Sequence, residues 1–189
     1  MKELSLNILD IAENSTKAGA TLVEILIDET SSALTLTIAD DGCGMTEEIL
    51  RGVTDPFYTT RTTRKVGMGI PLLKFAAEMT GGSLNITSRH ESEYADHGTA
   101  VTASFYKNHI DFTPLGDVIS SITTLIQGHP NTDFRFYHKS ESAEVAFDTR
   151  EVRAVLEDVP LDNFEVLMWI KENLTEQYDV FNEKQNKLS

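Results

Sequence analysis

The sequence predicts an α+β fold, a mixed sheet with helices on one face, followed by a small α-β-β-α-α unit. Three observations lead there. Ala33 to Ala39 alternates Leu34, Leu36 and Ile38 against Thr35 and Thr37, the period of a half-buried strand. Leu4, Ile8, Ile11 and Ala12, and later Val118, Ile119, Ile122, Leu125 and Ile126, have the spacing of helices that bury one side. The order up to residue 106 is helix, two strands, short helix, loop, helix and two strands. That order gathers the helices on one face of a sheet.

The first helix runs from Leu4 to about Ala18. Residues three and four apart share a face, so Asn7, Asp10, Asn14 and Lys17 form a polar stripe. A carboxylate, a carboxamide and an ammonium in this array can hold a water, a hydrated Mg²⁺ and a phosphate; an ordinary solvated face is the alternative. Ala18-Gly19-Ala20 ends the helix, Thr21 to Asp28 reads as a strand, and Glu29 to Ser32 as a turn. The next strand enters Asp40-Asp41-Gly42-Cys43-Gly44-Met45, where the glycines allow a tight turn against a ligand. An acidic residue there can accept a hydrogen bond from an exocyclic amine such as adenine N6, or the segment is a plain Asp-Gly turn.

Thr46 caps a short helix with Glu47 and Glu48 in its first turn, as the helix dipole favours. Asp55-Pro56-Phe57-Tyr58-Thr59-Thr60-Arg61 and the polar stretch to Val66 lead into Gly67-Met68-Gly69, a basic loop hinged on glycines. A helix follows from Ile70 to Met79, and the N–H groups at its start are a ready anion site. Gly81-Gly82 caps it; Ser83 to Ser88 and Thr99 to Phe105 are strands around a polar turn from Arg89 to His97.

Beyond residue 110, Thr113-Pro114 is the expected start of a helix that ends at Gly128. Asp133 to His138 and Ala143 to Phe147 form a hairpin. Acid-x-x-Glu pairs at Asp148/Glu151 and Asp162/Glu165 open helices at about 149–157 and 163–177. The second has a broad apolar face of Phe164, Leu167, Met168, Ile170 and Leu174, and Val180 to Ser189 reads as frayed. His129 and His138, isolated in unrelated elements, read as structural rather than as metal ligands.

The 189 residues suit one domain, or a domain of 1–107 with a smaller companion over 110–189. Net charge of −14 argues against a general nucleic-acid or anionic-membrane surface, so any phosphate must be held by a local cradle. The single cysteine, Cys43, excludes an intramolecular disulfide and a multi-cysteine metal site. Apolar runs are shorter than a membrane span, and the N-terminus lacks a signal-peptide pattern, which predicts a cytoplasmic protein.

Taken together, the segments over residues 4 to 106 resemble the GHKL ATPase superfamily of gyrases, heat-shock chaperones, histidine kinases and MutL-type repair proteins. They are most similar to histidine-kinase-like domains. Leu9-Asp10-Ile11-Ala12-Glu13-Asn14-Ser15-Thr16-Lys17-Ala18-Gly19-Ala20-Thr21 is similar to the N-box, and Asp40-x-Gly42-x-Gly44 to the first glycine box. Asp55 to Thr60 resembles the segment before the lid, Gly67-Met68-Gly69-Ile70 the second glycine box, and Gly98-Thr99 the final Gly-Thr.

The resemblance implies a two-layer α/β sandwich of the Bergerat ATP-binding type, with ATP and Mg²⁺ as cofactors. By it, Asn14 ligates Mg²⁺, Lys17 contacts phosphate, and Asp40, Gly42 and Gly44 hold adenine with support from Thr99. Gly67, Met68 and Gly69 wrap the phosphates, with Thr59 and Arg61 of the same stretch among the nucleotide-binding residues. Lys65 stands where the second box often has another glycine, and the lid from Tyr58 to Val66 is short, implying less complete cover. Four residues before the Mg-binding Asn, hydrolysing relatives carry a Glu that activates water; here Asp10 stands, as a general base or as a Mg²⁺ partner.

The chain starts at the N-box, so no phosphoacceptor hairpin precedes it and self-phosphorylation is not expected. The expectation is a Mg-ATP-binding switch in signal transduction with slow hydrolysis. An ATP/ADP sensor without turnover, or a kinase domain acting on a separate partner, are the alternatives. A protein partner is expected at the acidic C-terminal unit, and homodimerisation stays open. A nucleic-acid partner or a membrane is not expected.

Overall fold

In the computed structural model the described residues are 3–54 and 68–187. Helix α1 (Leu4–Lys17) precedes the hairpin of β1 (Leu22–Glu29) and β2 (Ala33–Asp40). Helices α2 (Glu47–Gly52) and α3 (Gly69–Met79) lead to β3 (Ser83–Arg89) and β4 (Gly98–Tyr106). Helix α4 (Val118–Gly128), β5 (Asp133–Lys139), β6 (Glu144–Asp148), α5 (Thr149–Leu156) and α6 (Phe164–Asn186) complete the order.

The strands form one six-stranded sheet in the order β3-β4-β2-β1-β5-β6. Every pair is antiparallel except β1 and β5, which run parallel with Val23 beside Phe134 and Ile25 beside Phe136. Alternation sorts the residues. Val23, Ile25, Ile27, Leu34, Leu36, Ile38, Val101, Ala103 and Phe105 are buried on one side. The other side carries cross-strand polar pairs, including Thr37 with Thr102 at 3.1 Å and Arg135 with Glu24 at 2.5 Å. Helix α1 lies on the apolar face between α3 and α4, and α4 in turn packs on α6. This is the α+β arrangement that the element order predicts.

The segment from residue 110 is joined to the rest through strands. β5 extends the sheet from β1, so its hydrophobic Phe134 and Phe136 continue the same core.

Several local expectations change. Asn7, expected on the polar stripe, is 1% exposed and packed with the apolar side of α1. Helix α4 begins at Val118, capped by Asp117 onto Ser120 N–H, and not at Thr113-Pro114. The carbonyls of Pro114 and Leu115 accept the N–H groups of Leu4 and Ser5 instead, at 2.9 and 2.8 Å. Those are orphan donors of α1, whose own N-cap residue Glu3 provides no side-chain cap. Asn163, rather than Asp162, caps α6. The helix continues past the expected end at 177 to Asn186, because Phe181 is buried and Tyr178 is packed against the core. Of its expected apolar face, Ile170 and Leu174 are buried and Leu167 is partly so, while Phe164 and Met168 face solvent.

Candidate functional site

The end of β2, the α1 helix and the start of α3 bring the expected residues together from three parts of the chain. Asp40 closes β2 and turns its carboxylate towards α1. There Ser15 donates to Oδ2 at 2.6 Å, while Gly42 N–H donates to Oδ1 at 3.0 Å. Both oxygens are thus oriented before any ligand arrives. Asp41 does different work. Its carboxylate accepts from the backbone of Thr21 and Leu22 at 2.7 and 2.9 Å and from the Thr21 hydroxyl, pinning the start of β1. Burial opposes ionisation of Asp41, but these hydrogen bonds outweigh it and lower its pKa.

The glycine box is zipped onto its neighbours. Cys43 N–H donates to Ala18 O and Glu91 N–H to Cys43 O, both at 2.9 Å. Gly44 has φ of 69°, and a Cβ there would meet the Arg89 carbonyl oxygen at 1.9 Å, so no side chain fits. His97 Nδ1 donates to Gly42 O at 2.6 Å. Thr99 sits opposite Asp40 across the strand pair, but its hydroxyl lies 2.8 Å from Ser88 Oγ, which also receives Met45 N–H at 2.7 Å. The direct partner of Asp40 is therefore Ser15 and not Thr99.

On the second side, Asp10 and Asn14 lie one turn apart on α1, and Gly69 opens α3 against them. A Cβ at Gly69 would come within 3.2 Å of the Asp10 Cβ and 3.9 Å of Asn14 Nδ2. No side chain caps α3, and Met68 at its N-cap is half exposed. Asp10 has its carboxyl raised above the usual range by desolvation, opposed by Lys17 and reinforced by Glu13. Lys17 is held by Glu13 at 3.1 Å, and Glu13 also meets His129 Nε2 at 2.8 Å. The His129 hydrogen bond, partly offset by burial and then aided by Lys17, lowers the Glu13 pKa.

Thr59, Arg61 and Gly67 lie outside the described residues, as does the lid from Tyr58 to Val66. A cavity of about 490 Å³ touches Asp40 and Thr99, but it is lined by Ala39, Thr87 and Ala100 and includes no residue of α1 or α3. The sequence motifs do not single out Ser15, Ser88 or His97. Ser15 sits next to Asn14 in a helix, and only the fold shows that its hydroxyl faces a carboxylate 25 positions away.

The family described as histidine kinase-, DNA gyrase B- and HSP90-like ATPase (HATPase_c) matches residues 1–109, and the chain belongs to it. It is thereby an ATP-binding domain of the GHKL class. Sporulation kinase A of Bacillus subtilis is 30% identical over 107 residues, which is 57% of this chain and 16% of that protein. Sensor protein SrrB of Staphylococcus aureus is 34% identical over 93 residues, 47% of this chain and 16% of that protein. The chain thus corresponds to a small part of the kinases it matches.

Among solved structures, the Aquifex aeolicus MutL ATPase domain complexed with ADP has a TM-score of 0.54 at 16% identity, covering 83% of this chain and 70% of that one. The N-terminal domain of a DNA repair protein also has a TM-score of 0.54 at 16% identity, covering 77% of this chain and 52% of that one. These likenesses concern the fold, and their coverage exceeds the family-matched segment, so they reach into the C-terminal elements.

Proposed function

We propose that the chain is a Mg-ATP-dependent switch that hydrolyses ATP slowly, with residues 1–107 binding the nucleotide and 110–189 relaying its state to a protein partner. The observation that carries the reading is the closure of Gly69 onto Asp10 and Asn14 on one face of α1. In this reading Asp40 receives the adenine amino group, its carboxylate held ready by Ser15 and Gly42. Gly44, Met68, Gly69 and Thr99, with Thr59, Arg61 and Gly67, complete the nucleotide site. Lys17 exchanges Glu13 for phosphate.

A Mg²⁺ ion fits the donor set. Such an ion usually keeps several waters and takes one or two protein ligands beside phosphate, and the Asn14 carboxamide oxygen would be that ligand. When bound, it supplies charge neutralisation on the phosphates. Asp10 accepts the proton of the water that attacks the γ-phosphorus, the bond to the bridging oxygen breaks, and ADP and phosphate leave. A raised carboxyl pKa suits a base of this kind.

The test is timed ADP formation on the full chain with saturating Mg-ATP. Asn14→Ala abolishes it, and Asp10→Asn lowers it by about 10²-fold or more while nucleotide affinity is retained. Unchanged turnover in Asp10→Asn removes the base role. No ADP above background, with ATP still bound, leaves a nucleotide sensor or a kinase that requires its separate acceptor.

A further inference from the structure

We infer that the groove between α5 and α6 beside β6 docks a basic amphipathic helix of a partner protein, a surface that rests on the partner-facing reading of the C-terminal unit. The groove has a volume of about 610 Å³ and is lined by Phe147, Val152, Val155, Leu156 and Trp169. Val155 is 82% exposed and Trp169 51%, so large apolar side chains from two helices are left in water on the same concavity.

The rim specifies the charge of the occupant. On α5, Glu151 lies four residues before Val155; on α6, Glu165, Glu172 and Glu176 lie four before, three after and seven after Trp169. All four are exposed acids on the stripes that carry the apolar residues. The nearby arginines are engaged elsewhere, Arg150 by Asp148 at 2.5 Å and Arg153 by Asp133 at 2.7 Å. An apolar floor with an acidic border matches a helix whose apolar anchors are flanked by Lys or Arg.

Two other occupants fit less well. Strand addition needs the free edge of β6, but the Ala146 N–H is taken by Gln177 Oε1 at 3.0 Å, and Asn173 holds that amide at 2.8 Å. A second copy would bring the same acidic rim, on a chain of net charge −14, against its own.

Trp169 is the chain's single tryptophan, so its emission reports this groove alone. The full chain is titrated with an amphipathic leucine-lysine peptide, a scrambled peptide of the same composition, and a leucine-glutamate counterpart. The expected result is a saturable blue shift with the amphipathic leucine-lysine peptide only, weakened by salt. Val155→Glu and the double substitution Glu165→Lys with Glu172→Lys each weaken it by about tenfold or more, a loss of roughly 1.4 kcal/mol. All three positions are exposed, which keeps the fold out of the comparison.

No shift, equal shifts with the scrambled peptide, or unaltered binding by both variants overturns the proposal. A blue shift that grows with protein concentration in the absence of peptide assigns the groove to a second copy and overturns it as well. ATP affinity is measured on the same samples. Its retention without peptide docking sinks this inference alone, and its loss with docking intact sinks the nucleotide reading alone.

Discussion

Ser15, a residue only 4% exposed, fixes one oxygen of Asp40 with its hydroxyl, and the other oxygen is fixed by a backbone N–H. A hydrogen bond to a charged group contributes about 1.5–3 kcal/mol. Ser15→Ala is therefore expected to weaken ATP binding by about tenfold or more, read by calorimetric titration, and to lower the melting temperature by several degrees. Wild-type affinity in that variant shows that Asp40 does not depend on the clamp. Asp10, Asn14, Asp40 and Gly44 were legible as candidates because their spacing repeats a known pattern. Ser15 was not, since a serine inside an amphipathic helix has no signature until the facing strand is known. The same holds for Asn7, whose polarity placed it on the stripe although packing buries it.

At the scale of elements, α6 is held to the sheet by more than apolar contact. His138 on β5 is 2% exposed; its Nε2 donates to Glu29 at 3.0 Å, and its Nδ1 accepts from the Tyr178 hydroxyl at 2.9 Å. Its ring lies 4.6 Å from that of Phe181, and Lys107 meets the other Glu29 oxygen at 2.6 Å. The His138 hydrogen bond, opposed by burial and aided by Lys107, lowers the Glu29 pKa from 4.5 to about 2. Burial, then the charge of Glu29, raises Tyr178 above the ordinary phenol range, which keeps it a donor.

Because the folded pKa lies below the unfolded one, the stabilisation is complete above pH 4.5 and is lost as pH falls towards about 2. At about 1.4 kcal/mol per unit, it is on the order of a few kcal/mol. Denaturant unfolding at a series of pH values should show stability falling across that window. Glu29→Gln should flatten this part of the profile and lower stability at neutral pH; an unchanged slope in the variant assigns the acid sensitivity elsewhere.

The length of α6 was in principle readable, since Ile170, Leu174, Tyr178 and Phe181 keep helical spacing. The polar residues between them made the end look frayed. The start of α4 was not readable. A sound local cap at Thr113-Pro114 gives way to hydrogen bonds with Leu4 and Ser5, over a hundred positions away.

For the molecule as a whole, the parallel ladder of β1 with β5 and the packing of α1 on α4 tie the family-matched segment to the C-terminal elements. The full chain is expected to unfold in one transition, with calorimetric and van't Hoff enthalpies equal. A fragment of residues 1–109 leaves β1 as an edge and uncovers the side of α1 that faces α4. It is expected to melt lower, with less cooperativity, and to associate at micromolar concentration, as calorimetry and sedimentation would show. Equal stability of the fragment makes the two segments independent. Element types were legible among the described residues, but the pairing of residues 22–28 with 133–139 was not, because parallel pairing leaves no mark on either strand alone.

That ladder also sets an order in time. During synthesis, α1, β1 and β2 emerge well before β5, so β1 gains its second neighbour only after residue 133, and Leu174 and Phe181, which complete the core, come later still. Contacts this distant in sequence close slowly. The segment that holds the nucleotide residues is therefore made early and finished late, and its apolar face waits, uncovered, for the far end of the chain.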